Sequence, residues 1–146
     1  MGLDSMLYIR RTLGYFPGDD KLKSLIQKSI TSNTYIEESS IEIKYCVGYW
    51  CKCYSIDQWF VGEGTPEGNR DGGVVIPLYK LSELKDICIE ILRDKSKAKD
   101  LLPQSSSDSD QTYMFSVLET IRILNGILGD ASLYPTETKF IFKNSW

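Results

Sequence analysis

The chain of 146 residues contains no histidine. This absence removes the commonest general base, the commonest zinc ligand and every Ser-His or Cys-His nucleophile pair. A hydrolase built from this sequence would need paired carboxylates, or a metal held by carboxylates. The candidate carboxylates are scattered and form no tight motif: Asp4, Asp57, Asp71 and Asp110. We therefore expect no catalytic residues, and a carboxylate- or metal-dependent hydrolase is kept only as an alternative.

A large excess of charge of one sign is also missing, because 17 basic and 20 acidic side chains give a net charge of −3. The extended basic surface needed for general DNA or RNA binding is therefore not expected. The chain has no run of about 18 apolar residues, which argues against a transmembrane helix. An acid, Asp4, stands where a signal peptide carries Lys or Arg. We expect a cytoplasmic protein with no membrane partner.

Cysteine is scarce, with four residues at Cys46, Cys51, Cys53 and Cys88. Their spacing lacks the two-residue separation that paired zinc ligands usually show. In the cytoplasm the default state of such cysteines is the reduced thiol, and a buried cysteine packs as a small hydrophobe. We accordingly expect no metal and no cofactor.

Four segments have the alternation or composition of β-strands: residues 3–11, 41–45, 74–79 and 139–143. In the first, Leu7 and Ile9 share one face, and Met6 and Tyr8 share the other. Pro77 cannot donate to a strand ladder, so it marks an edge strand or a strand end. In the last, Phe140 and Phe142 point the same way.

Helical spacing of apolar residues predicts helices over residues 20–30, 46–60 and 113–128, and one beginning at Ser82. The segment 46–60 also has high β-propensity, but no turn signal interrupts it, and we interpret it as a helix. Asp108 or Asp110 is the expected N-cap of the last helix, and Gly129 its stop. Together these elements predict a single domain, 1–146, of α+β class, with a small, mostly antiparallel sheet packed against three or four helices.

Two polar segments, residues 62–73 and 104–110, are expected to be mobile loops. The glycines of the first neither end in Gly-Lys-Ser/Thr nor match the dinucleotide-binding spacing. Its acids, Glu63, Glu67 and Asp71, would repel a phosphate. A connector is therefore favoured over a phosphate-binding loop.

The chain opens with Met1-Gly2-Leu3-Asp4 and ends with Asn144-Ser145-Trp146. Residues 49–61 correspond to the motif Tyr-Trp-Arg-Lys-Ala-Asn-x-Ile-His-x-Trp-Phe-Val, and residues 81–88 match Leu-x-x-Leu-x-x-x-Cys. Residues 94–103 nearly match Asp-x-x-x-Ala-x-x-Leu-Leu-Pro, and residues 120–124 match Thr-Ile-x-Ile-Leu. In this order, the segments resemble a group of small proteins encoded by bacteriophages.

The resemblance implies a phage accessory protein that acts in the host bacterial cytoplasm and interferes with host machinery or host defence. The chain also departs from the group's pattern. Asp57 stands in place of a histidine, Cys51 in place of an arginine, and the Ser/Asp run 104–110 in place of a loop rich in glycine and phenylalanine. A site shared by the group would be altered here.

The leading hypothesis is a non-catalytic protein that counters host defence by sequestering a nucleotide immune signal, in a pocket of the kind often found at a homo-oligomer interface. The alternatives are an anti-CRISPR-like inhibitor that binds a host defence protein directly, the hydrolase above, and a structural role for the phage. Aromatic rings and cations that could hold a nucleotide are Trp50, Lys52, Trp59, Tyr113 and Trp146, with Arg10 and Arg11 for the phosphate. Core packing is the competing role for the aromatic residues, above all for Trp50.

Overall fold

The computed structural model describes residues 2–12, 18–29, 42–68, 72–129 and 138–145. These residues form five β-strands, five α-helices and one 3-10 turn, Lys95–Lys97. The elements are β1 (Asp4–Thr12), α1 (Asp19–Ser29), β2 (Glu42–Cys51), α2 (Tyr54–Glu63), β3 (Thr65–Pro66), β4 (Val74–Ile76), α3 (Leu78–Arg93), α4 (Ala98–Leu101), α5 (Asp110–Gly129) and β5 (Lys139–Ser145). The predicted α+β class is confirmed.

The five strands form one sheet in the order β2-β1-β5-β4-β3, and every neighbouring pair is antiparallel. β1 therefore lies between β2 and β5, so the first strand of the chain pairs with the last. The predicted alternation of β1 is confirmed, because Leu7 and Ile9 are fully buried while Met6 and Tyr8 are half-buried on the other face. The register between β1 and β2 shifts between Leu7 and Tyr8, which is the mark of a β-bulge.

The hydrophobic core lies between one face of the sheet and helices α2, α3 and α5. Its centre is a cluster of aromatic rings in which Phe60 stacks on Phe142 with centroids 4.1 Å apart and planes at 9°. Trp50 packs against both rings at 5.3 and 6.2 Å. Each such ring pair adds about 0.5–1.5 kcal/mol beyond the burial of apolar area. Phe140 is buried on the same face as Phe142, as predicted.

The predicted helix over residues 46–60 is wrong in its first half. Residues up to Cys51 belong to β2 and pair with β1, and only α2, from Tyr54, is helical. Backbone hydrogen bonds to β1 stabilise this stretch as a strand, and this pairing cannot be predicted from the segment alone. The high β-propensity of the stretch then favours the strand over the helix. The helix-like spacing of Trp50, Cys53 and Phe60 arises because the end of the strand and the following helix face the same core.

Two helix starts also differ from the predictions. β4 ends at Ile76, and α3 begins at Leu78 with Pro77 as N-cap, so Ser82 lies inside the helix. Ser109, not Asp108 or Asp110, caps α5, because its hydroxyl accepts a hydrogen bond from the backbone N–H of Thr112 at 3.1 Å. The predicted end of α5 at Gly129 is confirmed.

Candidate functional site

The face of the sheet turned away from the helices carries a mixture of aromatic and cationic side chains, and we call it the outer face. It is formed in β1 by the residues that alternate with the core positions, including Tyr8 and Arg10. The strand register places Lys44 of β2 opposite Arg10. On the other side of β1, Ile141 of β5 lies opposite Tyr8, and Lys143 lies two residues further along the same face.

A pocket of about 190 Å³ opens on this face. Its lining comes from β2, β1 and β5 and from the residue before β4: Tyr8, Arg10, Lys44, Gly73, Ile141 and Lys143. Three of these six residues are cationic, and none is acidic. The pocket is thus a local basic site in a chain whose net charge is −3.

Gly73 shapes the pocket by having no side chain. A Cβ atom at this position would lie 2.6 Å from Cγ2 of Ile141 and 3.2 Å from the carbonyl oxygen of Phe142. These distances are shorter than ordinary van der Waals contact, so β5 and the segment before β4 approach closely only because residue 73 is glycine.

One carboxylate, that of Glu67, pairs with a cation that lines the pocket. Oε1 of Glu67 accepts a short hydrogen bond from Nη1 of Arg10 in an ion pair. The two side chains are only 11% and 15% exposed, so this pair is held largely out of water. Glu42 also lies near the guanidinium, with Oε2 3.9 Å from Nε of Arg10. The ion pair fixes Arg10 in place across the sheet.

The chemistry of the pocket suits an anion that carries a flat or partly apolar group. Lysine and arginine side chains bind phosphate oxygens, and the Tyr8 ring and Ile141 offer a surface for a sugar or a base. The volume is below the 300–1,000 Å³ typical of small-molecule sites. The enclosed part of a ligand is therefore of the size of a phosphate with its sugar, and a larger ligand would extend over the outer face.

Two of the predicted ligand-binding residues are core residues instead. Trp50 is 1% exposed, and its indole Nε1 donates a hydrogen bond to Oγ1 of Thr120 at 2.9 Å. Tyr113 is 3% exposed, and its hydroxyl donates to the carbonyl oxygen of Leu102 at 2.6 Å. Burial also raises the pKa of Tyr113 to about 12. Both predictions are corrected, because neither ring has a face available to a ligand.

Lys52 and Trp59 lie outside the pocket. Lys52 is exposed and follows the end of β2 with φ of 55°, and its backbone N–H donates to the carbonyl oxygen of Leu3 at 2.7 Å. Trp59 is half-buried and packs edge-on against Phe60 with centroids 5.3 Å apart. Neither is brought together with the cations of the outer face.

The two predicted arginines and the terminal tryptophan have different outcomes. Arg10 lines the pocket and remains the one predicted phosphate ligand that the structure places in a basic site. The backbone of Arg11 lies in β1, but its side chain falls outside the described residues, as does Trp146. Tyr8, Lys44 and Lys143 were missed by the sequence reasoning. The alternation of residues 3–11 places Tyr8 and Arg10 on one face, but their neighbours depend on the strand order.

Two of the acids considered for catalysis, Asp57 and Asp4, accept hydrogen bonds from other side chains. Asp57 is buried, and its Oδ1 accepts from Oγ of Ser5 at 3.1 Å and from Nδ2 of Asn144 at 2.9 Å. Asp4 accepts from the hydroxyl of Tyr49 at 2.8 Å. Asp71 lies outside the described residues. Over the described ranges, no group of three or more Cys, Asp or Glu side chains is placed to hold a metal ion.

The four cysteines, all within described segments, are free thiols. Cys53 and Cys88 are buried, and burial raises the pKa of both, that of Cys88 to about 12. A raised pKa disfavours the thiolate, so these two side chains are poor nucleophiles at neutral pH.

Comparison with known proteins finds no match among family models, curated proteins or solved structures. None of the helices that the structure describes has the length and apolar character needed to cross a membrane.

Proposed function

We propose that the protein binds a nucleotide in the outer-face pocket and acts by sequestration, not by turnover. The observation that carries the proposal is the pocket itself, where a tyrosine ring and three cationic side chains meet on neighbouring strands. Arginine and lysine together suit a phosphate, and an aromatic ring beside them suits a sugar or a base. In the setting of a phage accessory protein, the ligand would be a nucleotide immune signal of the host cytoplasm.

The electrostatics support a small anionic ligand over a long nucleic acid. A strand of DNA or RNA needs a basic surface that follows many phosphates. Here three cations meet at one pocket, and Glu42 and Glu67 pair with one of them, Arg10. One or two phosphate groups match this local charge.

Thermal unfolding against a panel of linear and cyclic nucleotides, with magnesium and with a chelator, tests the proposal. A ligand at 100 times its Kd stabilises the native state by about 2.7 kcal/mol. In a domain of this size, that raises Tm by several degrees. Recovery of the unchanged nucleotide afterwards would support sequestration, and a hydrolysed product would contradict it.

A pair of lysine variants locates the binding. Lys143→Gln removes a pocket cation that forms no ion pair within the described residues, and we expect it to reduce the Tm shift. Lys99→Gln removes an exposed lysine of α4 and is the matched control. Equal shifts in both variants would contradict binding in this pocket, and no shift with any nucleotide would contradict the proposed function.

A second candidate, direct binding to a host defence protein, is favoured by one observation. Phe115 and Leu118 of α5 are 59% and 53% exposed, and aromatic and apolar anchors of this kind are frequent in protein interfaces. The test is capture of a host protein from infected cells by the wild type. Capture should be lost with Phe115→Ser combined with Leu118→Ser, but retained with Leu25→Ser, which alters an exposed leucine of α1.

A further inference from the structure

We infer that Glu67 makes the outer-face pocket selective for phosphates that carry a neutral hydrogen-bond donor, as a nucleotide does, over bare inorganic phosphates. This inference rests on the proposed function and deepens it, because it names the group that would read the non-phosphate part of the ligand. The two oxygens of the Glu67 carboxylate have different surroundings.

Oε1 of Glu67 is used in the ion pair with Arg10. Oε2 is buried, and it has no hydrogen-bond partner among the residues that the structure describes. A buried polar atom left without a partner costs about 1–3 kcal/mol, and more when it is charged. An acceptor of this kind is therefore satisfied when a donor is brought to it.

The position of Oε2 relates it to the pocket. The backbone N–H of Glu67 donates to the carbonyl oxygen of Gly73 at 3.1 Å, which holds the two residues opposite each other beside β3 and β4. A Cβ atom on Gly73 would lie 3.9 Å from Oε2. Gly73 and Arg10 both line the pocket, so the carboxylate lies beside two lining residues, although Glu67 is not itself one of them.

Charge then determines which ligands fit. A bare phosphate or pyrophosphate brings only acceptor oxygens near Glu67, and like charges repel. A nucleotide can place its phosphate at the lysines and offer Oε2 a donor, which is either a ribose hydroxyl or an amino group of the base. The cations attract every phosphate compound, and Glu67 discriminates between bare phosphates and nucleotides.

The test compares four probes on the full chain by isothermal titration calorimetry: adenosine 5′-monophosphate, its 2′-deoxy form, inosine 5′-monophosphate and pyrophosphate. We expect the wild type to bind at least one of the nucleotides ten-fold or more tightly than pyrophosphate. Weaker binding of the deoxy form alone would identify the ribose hydroxyl as the donor, and weaker binding of the inosine form alone would identify the amino group. A wild type that binds pyrophosphate as tightly as the nucleotides would overturn the inference, and this arm requires no variant to fold.

The variant Glu67→Gln keeps the size of the side chain and removes its charge. We expect it to bind pyrophosphate more tightly and the preferred nucleotide at least ten-fold more weakly. Glu63→Gln is the matched control, because Glu63 is half-exposed and pairs with Lys80 outside the pocket. If Glu67→Gln tightens pyrophosphate and nucleotide alike, Glu67 acts through charge alone and the inference fails while the proposed function stands. If the wild type binds none of the four probes, the proposed function fails as well.

Discussion

The carboxylate of Asp108 accepts a hydrogen bond from the backbone N–H of Ser55, 2.9 Å away and 53 positions earlier in the chain. Ser55 lies in the first turn of α2, whose own N-cap residue, Cys53, makes no side-chain cap hydrogen bond. Asp108 thus supplies from outside the helix what an N-cap residue usually supplies from within it. A negative charge at this end also interacts favourably with the helix dipole.

Replacing this carboxylate should destabilise the protein. Asp108→Ala leaves the N–H of Ser55 without its acceptor in a buried site, and we expect a loss of about 1–3 kcal/mol in the free energy of unfolding. Asp110→Ala is the control, because Asp110 is exposed, and its change should stay within about 0.5 kcal/mol. Urea denaturation measures both variants, and equal losses would contradict the capping role of Asp108.

The hydrogen bond of Trp50 gives a second stability prediction. Thr120→Val keeps the shape of the side chain but removes the hydroxyl that accepts from the indole N–H. The buried N–H then has no partner, which costs about 1–3 kcal/mol. Thr120→Ser retains the hydroxyl acceptor and loses the methyl group instead, so it reports the contribution of packing at this position without loss of the hydrogen bond. A Thr120→Val variant as stable as the wild type would show that the indole hydrogen bond does not contribute.

Stability should fall as the pH rises above about 9. The pKa of Cys88 is raised from 9.0 to about 12 by burial, and that of Tyr113 is raised from 10.0 to about 12. Since both groups bind their protons more tightly in the folded protein, the unfolded chain loses protons first, and each group lowers the free energy of unfolding by at most about 1.4 kcal/mol per pH unit. This stabilisation is complete below pH 9 and is lost as the pH approaches 12.

Urea denaturation between pH 8 and 11 measures this slope. Cys88→Ala removes one of the two buried thiols whose pKa is raised, so we expect a flatter slope between pH 9 and 10 in this variant. A free energy of unfolding that is independent of pH over this range, in the wild type, would contradict the buried and protonated state of Cys88.

Replacing each of two glycines by alanine should change the stability of the protein in opposite directions. Gly126 lies inside α5, and a Cβ atom there would meet nothing within 4 Å. Gly126→Ala should stabilise the protein by about 0.5–1 kcal/mol, since alanine loses less backbone freedom in a helix. Gly73→Ala should destabilise it, because its Cβ would lie 2.6 Å from Ile141. Thermal unfolding of the two variants decides this, and a stabilised Gly73→Ala would show that the strands can move apart.

The parts of the fold that can be predicted are those in which apolar residues repeat with the period of a strand or a helix. The alternation around Leu7 and Ile9 and the helical stripe that ends at Gly129 both correspond to observed elements. The segment 46–60 was mispredicted because its strand exists only through pairing with β1, which is not visible in the segment itself. The cap of α2 by Asp108 is missed for the same reason, since it joins positions far apart in sequence.

The candidate site shows the same limit. The chemistry of Arg10 alone indicates a phosphate ligand. Lys44 and Lys143 can be assigned to the same pocket only when the order of the strands is known. Trp50 and Tyr113 were selected because aromatic rings can stack on bases, and burial assigns both to the core. The polar stretch 104–110 is predicted to be a mobile loop, and the structure adds that Ser105 and Asp108 within it are buried.

The most direct test of nucleotide binding on the outer face is a ¹H–¹⁵N NMR titration of the wild-type chain with adenosine 5′-monophosphate and guanosine 5′-monophosphate. We expect concentration-dependent shifts of the backbone amide signals of Tyr8, Gly73 and Lys143, with little change at exposed positions of α5 such as Leu118. Shifts confined to α5, or no shifts at millimolar nucleotide, would contradict a nucleotide site on this face of the sheet.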